Sequence, residues 1–379
     1  MNNKTLNFFL IAGEPSGDIH GAQLIREIQK AEPNSSFMGH GGDNMKKAGM
    51  NIIQHVNNLS IMGFYEVFKH LPRFLKIMGE TIKTIERTRP DRIILIDYPG
   101  FNLRLAKNIT YLKIPISYFI LPQAWAWKEK RVELMKKIID QSISIFSFEQ
   151  HWYNSRGLPT EYIGHPFAEI NHLDESSKEY YKRHQLNISK PILVLLPGSR
   201  QQEVNRHWKI ILKATNELLI KYNDLQVILG KSQNTYVKPI PENFKIEKNS
   251  KKAIISATAA IVCSGTATLE CAVENTPMVV CYKLSPISWY FAKKMTKIKY
   301  SSIVNLIFNK KIVTELLQNN MTAKNIITEI EPLLNLKSSK RKKMLDNFNN
   351  IRKNLGVPGV YERAAFSIIS KTKLPKYSN

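Results

Sequence analysis

Cysteine is scarce in this chain: Cys263, Cys271 and Cys281 are the only three in 379 residues. They lie eight and ten residues apart with no histidine among them. That spacing fits no zinc pattern, and a chain of this size does not depend on a disulfide framework. They read as small buried side chains of a reduced, cytosolic protein. Long apolar runs are missing too. None approaches the ~20 residues of a spanning helix. The run that ends at Gly13-Glu14 leads straight into a strand–turn–helix pattern, which argues against a signal peptide. There is no G-x-G-x-x-G fingerprint, no nucleic-acid motif and no low-complexity tract. Acidic residues are few, 31 Asp and Glu against 55 Lys and Arg, so the net charge is +24. That excess favours a polyanionic partner, either an anionic membrane face or a phosphorylated substrate. The cations are scattered, which argues against nucleic acid. Part of the excess follows from a composition rich in Lys, Asn and Ile.

What is present is enough apolar residue, 43%, for a sizeable core. The length allows about two to three domains at roughly 150 residues each. The central stretch is Ala260 to Glu270, A-I-V-C-S-G-T-A-T-L-E. It reads as strand, tight turn, helix. Ser264 is the expected N-cap, and Gly265 lets a ligand approach the backbone. The open N–H groups and the helix dipole then form an anion site. Glu270, four residues after Thr266, shares its helix face and is placed to accept from ribose hydroxyls. The plainer alternative is a simple cap and a surface charge.

The same unit occurs elsewhere. Leu6 to Ala12 reads as a first strand, Gly13 to Asp18 as a turn, and Ile19 to Lys30 as a helix. The polar groups Glu14, Ser16, Asp18 and His20 suggest a sugar or phosphate contact. Strand Arg92 to Ile96 ends in Asp97, where open α/β sheets bind ligands. Ile114 to Leu121 leads to Gln123, Trp125 and Trp127 beside Lys128, Lys130 and Arg131. This is either an apolar wall with a cationic rim or structural packing. Ser142 to Phe146 and Thr160 to Gly164 are short strands. His165, locked by Pro166, either lines a cleft or makes a linker hydrogen bond. The character turns polar between Phe167 and Ser189. Then Ile192 to Leu196, Pro197 to Arg200 and a helix through Leu218 restart the strand–Gly–helix pattern. Arg200 at such a turn suits a diphosphate. Leu225 to Gly230 and Met278 to Tyr282 are further strands. Lys337 to Lys353 is a very basic helix, and Tyr361 to Ser370 is the last helix. Ile61 to Met78 is dense in apolar residues and nearly all its charges are basic. It is either a buried helix, kinked at Pro72, or an interfacial segment that meets acyl chains through Phe64, Tyr65, Phe68, Leu71, Phe74 and Leu75.

The expected fold is α/β, two Rossmann-like domains facing across a cleft. Residues 1–170 form the first domain, with the C-terminal helix 358–379 packing back on it. Residues 171–357 form the second.

Eight motifs in order carry a resemblance over nearly the whole chain. They are A-G-E-P-S-G-D from Ala12, I-M-G-F-Y-E-V from Ile61, D-Y-P-G-F-N from Asp97 and P-Q-A-W-A-W from Pro122. I-G-H-P from Ile163, L-L-P-G-S-R from Leu195, S-G-T-A-T-L-E from Ser264 and V-N-L around Asn305 follow. The series closely resembles the lipid-A-disaccharide synthase family, glycosyltransferases of GT-B architecture from Gram-negative bacteria.

The resemblance implies transfer from UDP-2,3-diacylglucosamine to 2,3-diacylglucosamine 1-phosphate with inversion, releasing UDP. It implies no cofactor and no metal. It maps donor binding to Ser199, Arg200, Ser264, Gly265, Thr266, Ala267, Thr268, Glu270 and Asn305. Asp97 is the catalytic carboxylate. Glu14, Ser16, Asp18, Asn102, Gln123 and His165 are the acceptor-side candidates, with Pro99 stiffening the loop and Asn102 orienting Asp97. Some relatives carry a second acid after the motif proline; Gly100 stands there, so no role of that acid applies. A cytoplasmic protein, peripheral on the inner membrane, is expected, as is a homodimer of the kind that exchanges C-terminal segments. The rival readings are another UDP-sugar enzyme of this architecture, such as an epimerase, and a nucleic-acid-binding module.

Overall fold

Apolar runs of about five residues, buried on both faces and joined by helical segments, are what a parallel sheet covered on both sides requires. The computed structural model describes residues 5–59, 71–126, 128–169, 176–232, 235–286, 288–290 and 299–374. The chain divides into two units, Met1–Glu169 with Gly356–Asn379, and Ile170–Leu355.

In the first unit, β1 (Asn7–Ala12), β2 (Ser36–Gly41), β3 (Asn51–His55), β4 (Arg92–Ile96), β5 (Ile116–Phe119), β6 (Gln141–Ser144) and β7 (Thr160–Tyr162) form one sheet. Its order is β3-β2-β1-β4-β5-β6-β7, and every pairing is parallel. The order reverses between β1 and β4, so the turns after these two strands flank the switch point, where such sheets bind ligands. Helix α1 (Pro15–Ala31) starts three residues after β1. Its early start is a correction: Pro15 occupies the first helical turn, where the missing N–H costs nothing, so Ser16 and Asp18 are helical rather than part of a turn. Helices α2 (Asp43–Lys47), α3 (Val56–Leu59), α4 (Leu71–Thr88), α5 (Pro99–Asn108), α6 (Arg131–Ile138) and α7 (Ser147–Asn154) complete the run. The C-terminal helix, Val360–Lys373, packs on α1, with His20 Nδ1 2.7 Å from the Tyr361 hydroxyl.

Helix α4 decides part of the Ile61 to Met78 segment. Pro72 is the second described residue of this helix. Phe74 is buried in the core, its ring edge-on to Phe101 at 5.4 Å, so it does not face acyl chains. Leu75 is 58% exposed. Phe64, Tyr65 and Phe68 lie outside the described residues, as does the side chain of Leu71.

The second unit repeats the plan. Strands β8 (Ile192–Leu196), β9 (Gln226–Gly230), β10 (Lys245–Glu247), β11 (Ala259–Cys263), β12 (Met278–Tyr282) and β13 (Thr314–Leu317) are ordered β10-β9-β8-β11-β12-β13, all parallel. The switch point falls between β8 and β11. Helices α8 (Ser177–Arg183), α9 (Gln201–Lys221), α10 (Ser250–Ser256) and α11 (Thr266–Val273) follow in order. The three cysteines are free and buried.

Candidate active site

At the switch point of the first unit, the turns after β1 and β4 pack on each other. A Cβ on Gly13 would lie 2.1 Å from the Tyr98 ring, so only glycine fits. Asp97 and Tyr98 both take left-handed backbone conformations, φ 46° and 47°. Two adjacent non-glycine residues in that region cost roughly 1–3 kcal/mol each, and persist only where the surroundings impose them. Here three bonds do so. Asn102, fully buried on α5, donates to the Asp97 carbonyl at 2.7 Å; the Tyr118 hydroxyl donates to the same carbonyl at 2.7 Å; and the Asp97 N–H donates to Phe119 at 3.3 Å. Asn102 thus orients the backbone of Asp97, not its carboxylate. Pro99 is the first residue of α5 rather than a loop stiffener. Glu14 is the half-buried N-cap of α1, and its charge joins burial in pushing the Tyr98 phenol up to about 12.

Two acceptor-side candidates are occupied otherwise. The Asp18 carboxylate is buried and accepts from the backbone of Gly42, Asn44 and Met45 and from the Asn44 amide, at 2.7–3.1 Å. It caps α2, and four internal donors leave it little capacity for a sugar. His165 is buried between Phe146 and Phe167, and its Nδ1 accepts from the Phe167 N–H at 3.0 Å. Burial, with the charge of His20, holds its imidazole down to about 3. It is the linker hydrogen bond rather than a cleft wall. Ser16 is half-buried in the first turn of α1, and Gln123 is exposed after β5.

One residue of this edge carries no sequence motif signal. Glu149, buried in the first turn of α7, accepts from the Trp125 indole N–H at 2.9 Å and lies 2.6 Å from the Ser144 hydroxyl. Burial pushes its carboxyl up to about 7, and the charge of Asp97 adds to that push. Trp125 therefore has a structural anchor as well as a place on the edge.

The second switch point is tied together more tightly. After β8, Glu203 accepts from the backbone N–H groups of Ser199 and Arg200 at 3.1 and 3.2 Å. Arg200 itself is exposed at the N-terminus of α9. His207, fully buried, has Nδ1 2.8 Å from the Pro197 carbonyl, and its Nε2 accepts from the Lys283 N–H at 2.9 Å. It thus links the turns after β8 and β12, on either side of β11. Burial lowers its basicity, which suits an imidazole that must accept through one nitrogen.

After β11, Gly265 and not Ser264 is the N-cap, and no side chain caps α11. Ser264 instead donates to the Ser301 carbonyl at 3.0 Å. Gly265 has φ 152° with open space where a Cβ would stand. Thr266 is exposed and Ala267 half-buried, so the helix N-terminus is accessible to an anion. Thr268 is fully buried and its hydroxyl donates to the Gly265 carbonyl at 2.8 Å, so it holds the turn instead of a ligand. Asn305 is likewise fully buried. Its amide donates to Val313 and Glu315 at 2.9 and 2.8 Å, and its oxygen accepts from Ile312 and Val313. Glu315 also accepts from the Ser301 and Ser302 N–H groups, so Asn305 supports the segment that Ser264 meets. Glu270 is half-buried, 3.3 Å from the Ser250 hydroxyl, and burial raises its carboxyl.

The first edge therefore offers a carboxylate held beyond a strand end. The second offers a helix N-terminus with a guanidinium close enough for its charge to act on Cys263. Among the described residues no group of three or more His, Cys, Asp or Glu is placed to hold a metal ion. Among them too, no helix is long and apolar enough to cross a membrane.

Residues 8–365 match the family described as Lipid-A-disaccharide synthetase. A lipid-A-disaccharide synthase of Syntrophus aciditrophicus is 33% identical over 98% of this chain and 99% of its own length. One from Coxiella burnetii is 34% identical over 88% and 90%. Among solved structures, a UDP-N-acetylglucosamine 2-epimerase of Neisseria meningitidis bound to UDP-GlcNAc aligns with a TM-score of 0.67 at 12% identity, over 97% of this chain and 99% of that one. A calicheamicin glycosyltransferase aligns at 0.59 and 12%, over 97% and 98%. At such identities the last two show the fold alone.

Proposed function

Since the chain belongs to the lipid-A-disaccharide synthetase family and is a glycosyltransferase of GT-B architecture, we propose that it transfers 2,3-diacylglucosamine from its UDP conjugate to 2,3-diacylglucosamine 1-phosphate. The product is the β-1,6-linked disaccharide 1-phosphate, released with UDP. The observation that carries this reading is the pair of switch-point edges, each holding one of the two chemical needs of the reaction.

The second unit takes the nucleotide. The departing diphosphate gains negative charge, and the α11 N-terminus with Arg200 supplies fixed positive potential for it. Glu270, one turn along α11, accepts from ribose hydroxyls. The first unit takes the acceptor sugar. Asp97, whose backbone is locked by Asn102 and Tyr118, removes the proton from the attacking 6-hydroxyl. The hydroxyl oxygen then forms the bond to the anomeric carbon as the carbon–UDP bond breaks, inverting that centre in a single displacement. Both substrates are acylated, so the enzyme works at the cytoplasmic face of the inner membrane.

Incubating the purified protein with donor and acceptor, and identifying the product by mass spectrometry, tests the proposal. A tetraacyl disaccharide 1-phosphate with equimolar UDP is expected. An epimerised UDP-sugar with the acceptor untouched would replace this reading with that of an epimerase.

A further inference from the structure

We propose that Glu149 is a positioning residue for the transfer, and that it works as an uncharged carboxyl that holds Trp125 on the Asp97 edge. The inference rests on the reading of Asp97 as the base.

The geometry of one hydroxyl carries it. Ser144 Oγ lies 2.6 Å from Glu149 Oε2 and 2.9 Å from the Phe146 carbonyl, and it accepts from the Phe146 N–H at 3.1 Å. A serine has a single proton to give. If Glu149 is ionised, that proton goes to the carboxylate and the Phe146 carbonyl keeps only the Glu149 N–H, at 3.1 Å, of its two bonds. If Glu149 is protonated, its own O–H donates to Ser144, Ser144 donates to Phe146, and every contact is made at once. The other carboxyl oxygen accepts from Trp125 in either case. The site is 1% exposed, so water does not make up the missing bond.

The surroundings agree. Asp97 approaches from the end of β4, and its negative charge opposes a second one on Glu149. Tyr153, one turn further along α7, donates to the Pro122 carbonyl, and the charge of Arg131 on α6 acts on Tyr118 and Tyr153. Glu149 and Tyr153 together fasten the loop from Pro122 to Trp125 to a single helix. The loop begins just after β5, the strand beside β4, with Ile120 in a left-handed conformation, φ 62°. A β-branched residue there is rare and marks an imposed backbone. The Trp125 ring packs edge-on against Phe148 at 5.1 Å, and the bond to Glu149 fixes how the ring is turned on that contact.

The test measures turnover of the full chain with donor and acceptor in mixed micelles, from about pH 6 to about pH 8.5, since that range covers the carboxyl's ionisation. Glu149→Gln presents an oxygen to Trp125 and an N–H to Ser144, as the neutral acid does. It is expected to keep near wild-type kcat at low pH. Wild type is expected to lose rate as pH rises through about 7, where Glu149 ionises, and Glu149→Gln to lose that limb. Glu149→Ala is expected to lower kcat roughly 10–100-fold, the scale of a misplaced site element, with UDP affinity unchanged. Trp125→Phe keeps an aromatic ring, though a smaller one, and removes the donor; it guards against a misfolded alanine variant, and its kcat is expected to fall with the fold retained by circular dichroism. The proposal is overturned if Glu149→Gln is as slow as Glu149→Ala, if its pH profile matches wild type, or if both Glu149→Ala and Trp125→Phe turn over normally. Retained turnover in Asp97→Asn would instead remove the base assignment alone.

Discussion

Asp97 and Glu149 are both carboxylates of one sheet edge, and their surroundings give them opposite tasks. Asp97 is half-buried, and the donors from Asn102 and Tyr118 go to its backbone carbonyl. Asp97→Asn therefore leaves that scaffold intact and removes the carboxylate's charge together with its ability to take a proton. Turnover should drop by ~10²–10⁴, the usual scale for losing a general base, while UDP affinity and melting temperature stay as they were. A variant that retains more than about a tenth of the rate would rule Asp97 out as the base. Glu149 gives a stability prediction independent of catalysis. Its folded-state value, about 7, lies above the model-compound value of 4.5, so the native state holds the extra proton. Stability then falls as pH rises through that window, by up to about 3 kcal/mol in total. Glu149→Gln removes the dependence. Urea unfolding should find the variant more stable than wild type at about pH 8 and equal to it below about pH 4.5. Equal stabilities at the higher pH would mean that the carboxyl ionises at no cost.

At the scale of elements, α11 is the test case. Its N-terminus has no side-chain cap, and Ser264 is drawn away to Ser301. The proposed diphosphate completes a helix end that the chain leaves open. UDP should therefore bind in the presence of chelator as well as in its absence, and Arg200→Ala should weaken it by ~1.5–3 kcal/mol, the value of a charged hydrogen bond. Calorimetry decides both, and loss of binding in chelator would contradict the assignment. The strand of this element was readable from sequence because Ala260 to Cys263 is a continuous apolar run. So were β4, β8 and β12, for the same reason. Strands β2 and β3 were not, since S-F-M-G-H-G and N-I-I-Q-H mix polar and glycine residues with apolar ones. The side-chain ties were hidden as well. Asp18, Thr268 and Asn305 stand in motifs, but their atoms are taken by backbone groups 24, 3 and 8 residues away, which spacing alone does not reveal. Glu203 carries a signal in its spacing: an acid three residues after Arg200, at the start of a helix.

At the scale of the whole molecule the net charge of +24 and the acylated substrates proposed above point to one surface. We propose that the chain binds anionic membranes peripherally, through cations and through apolar residues of the Ile61 to Met78 segment. The structure narrows which residues to change. Phe74 belongs to the core with Phe101, so Phe74→Ser would cost several kcal/mol of stability and say nothing of lipid. Leu75, 58% exposed on α4, is the informative neighbour, and its replacement by Ser should leave the unfolding free energy within about ±0.5 kcal/mol of wild type. Combined with Phe64→Ser and Phe68→Ser, it should release the protein from vesicles containing anionic lipid. Wild-type binding should also weaken as salt rises from about 0.05 to about 0.5 M, because the Debye length shrinks below the spacing of surface charges. The two arms separate the contributions. Loss with salt alone would assign the attachment to charge, and loss with the triple variant alone would assign it to apolar insertion. Vesicle binding that survives both changes would mean that neither surface charge nor this segment is what attaches the chain to the bilayer.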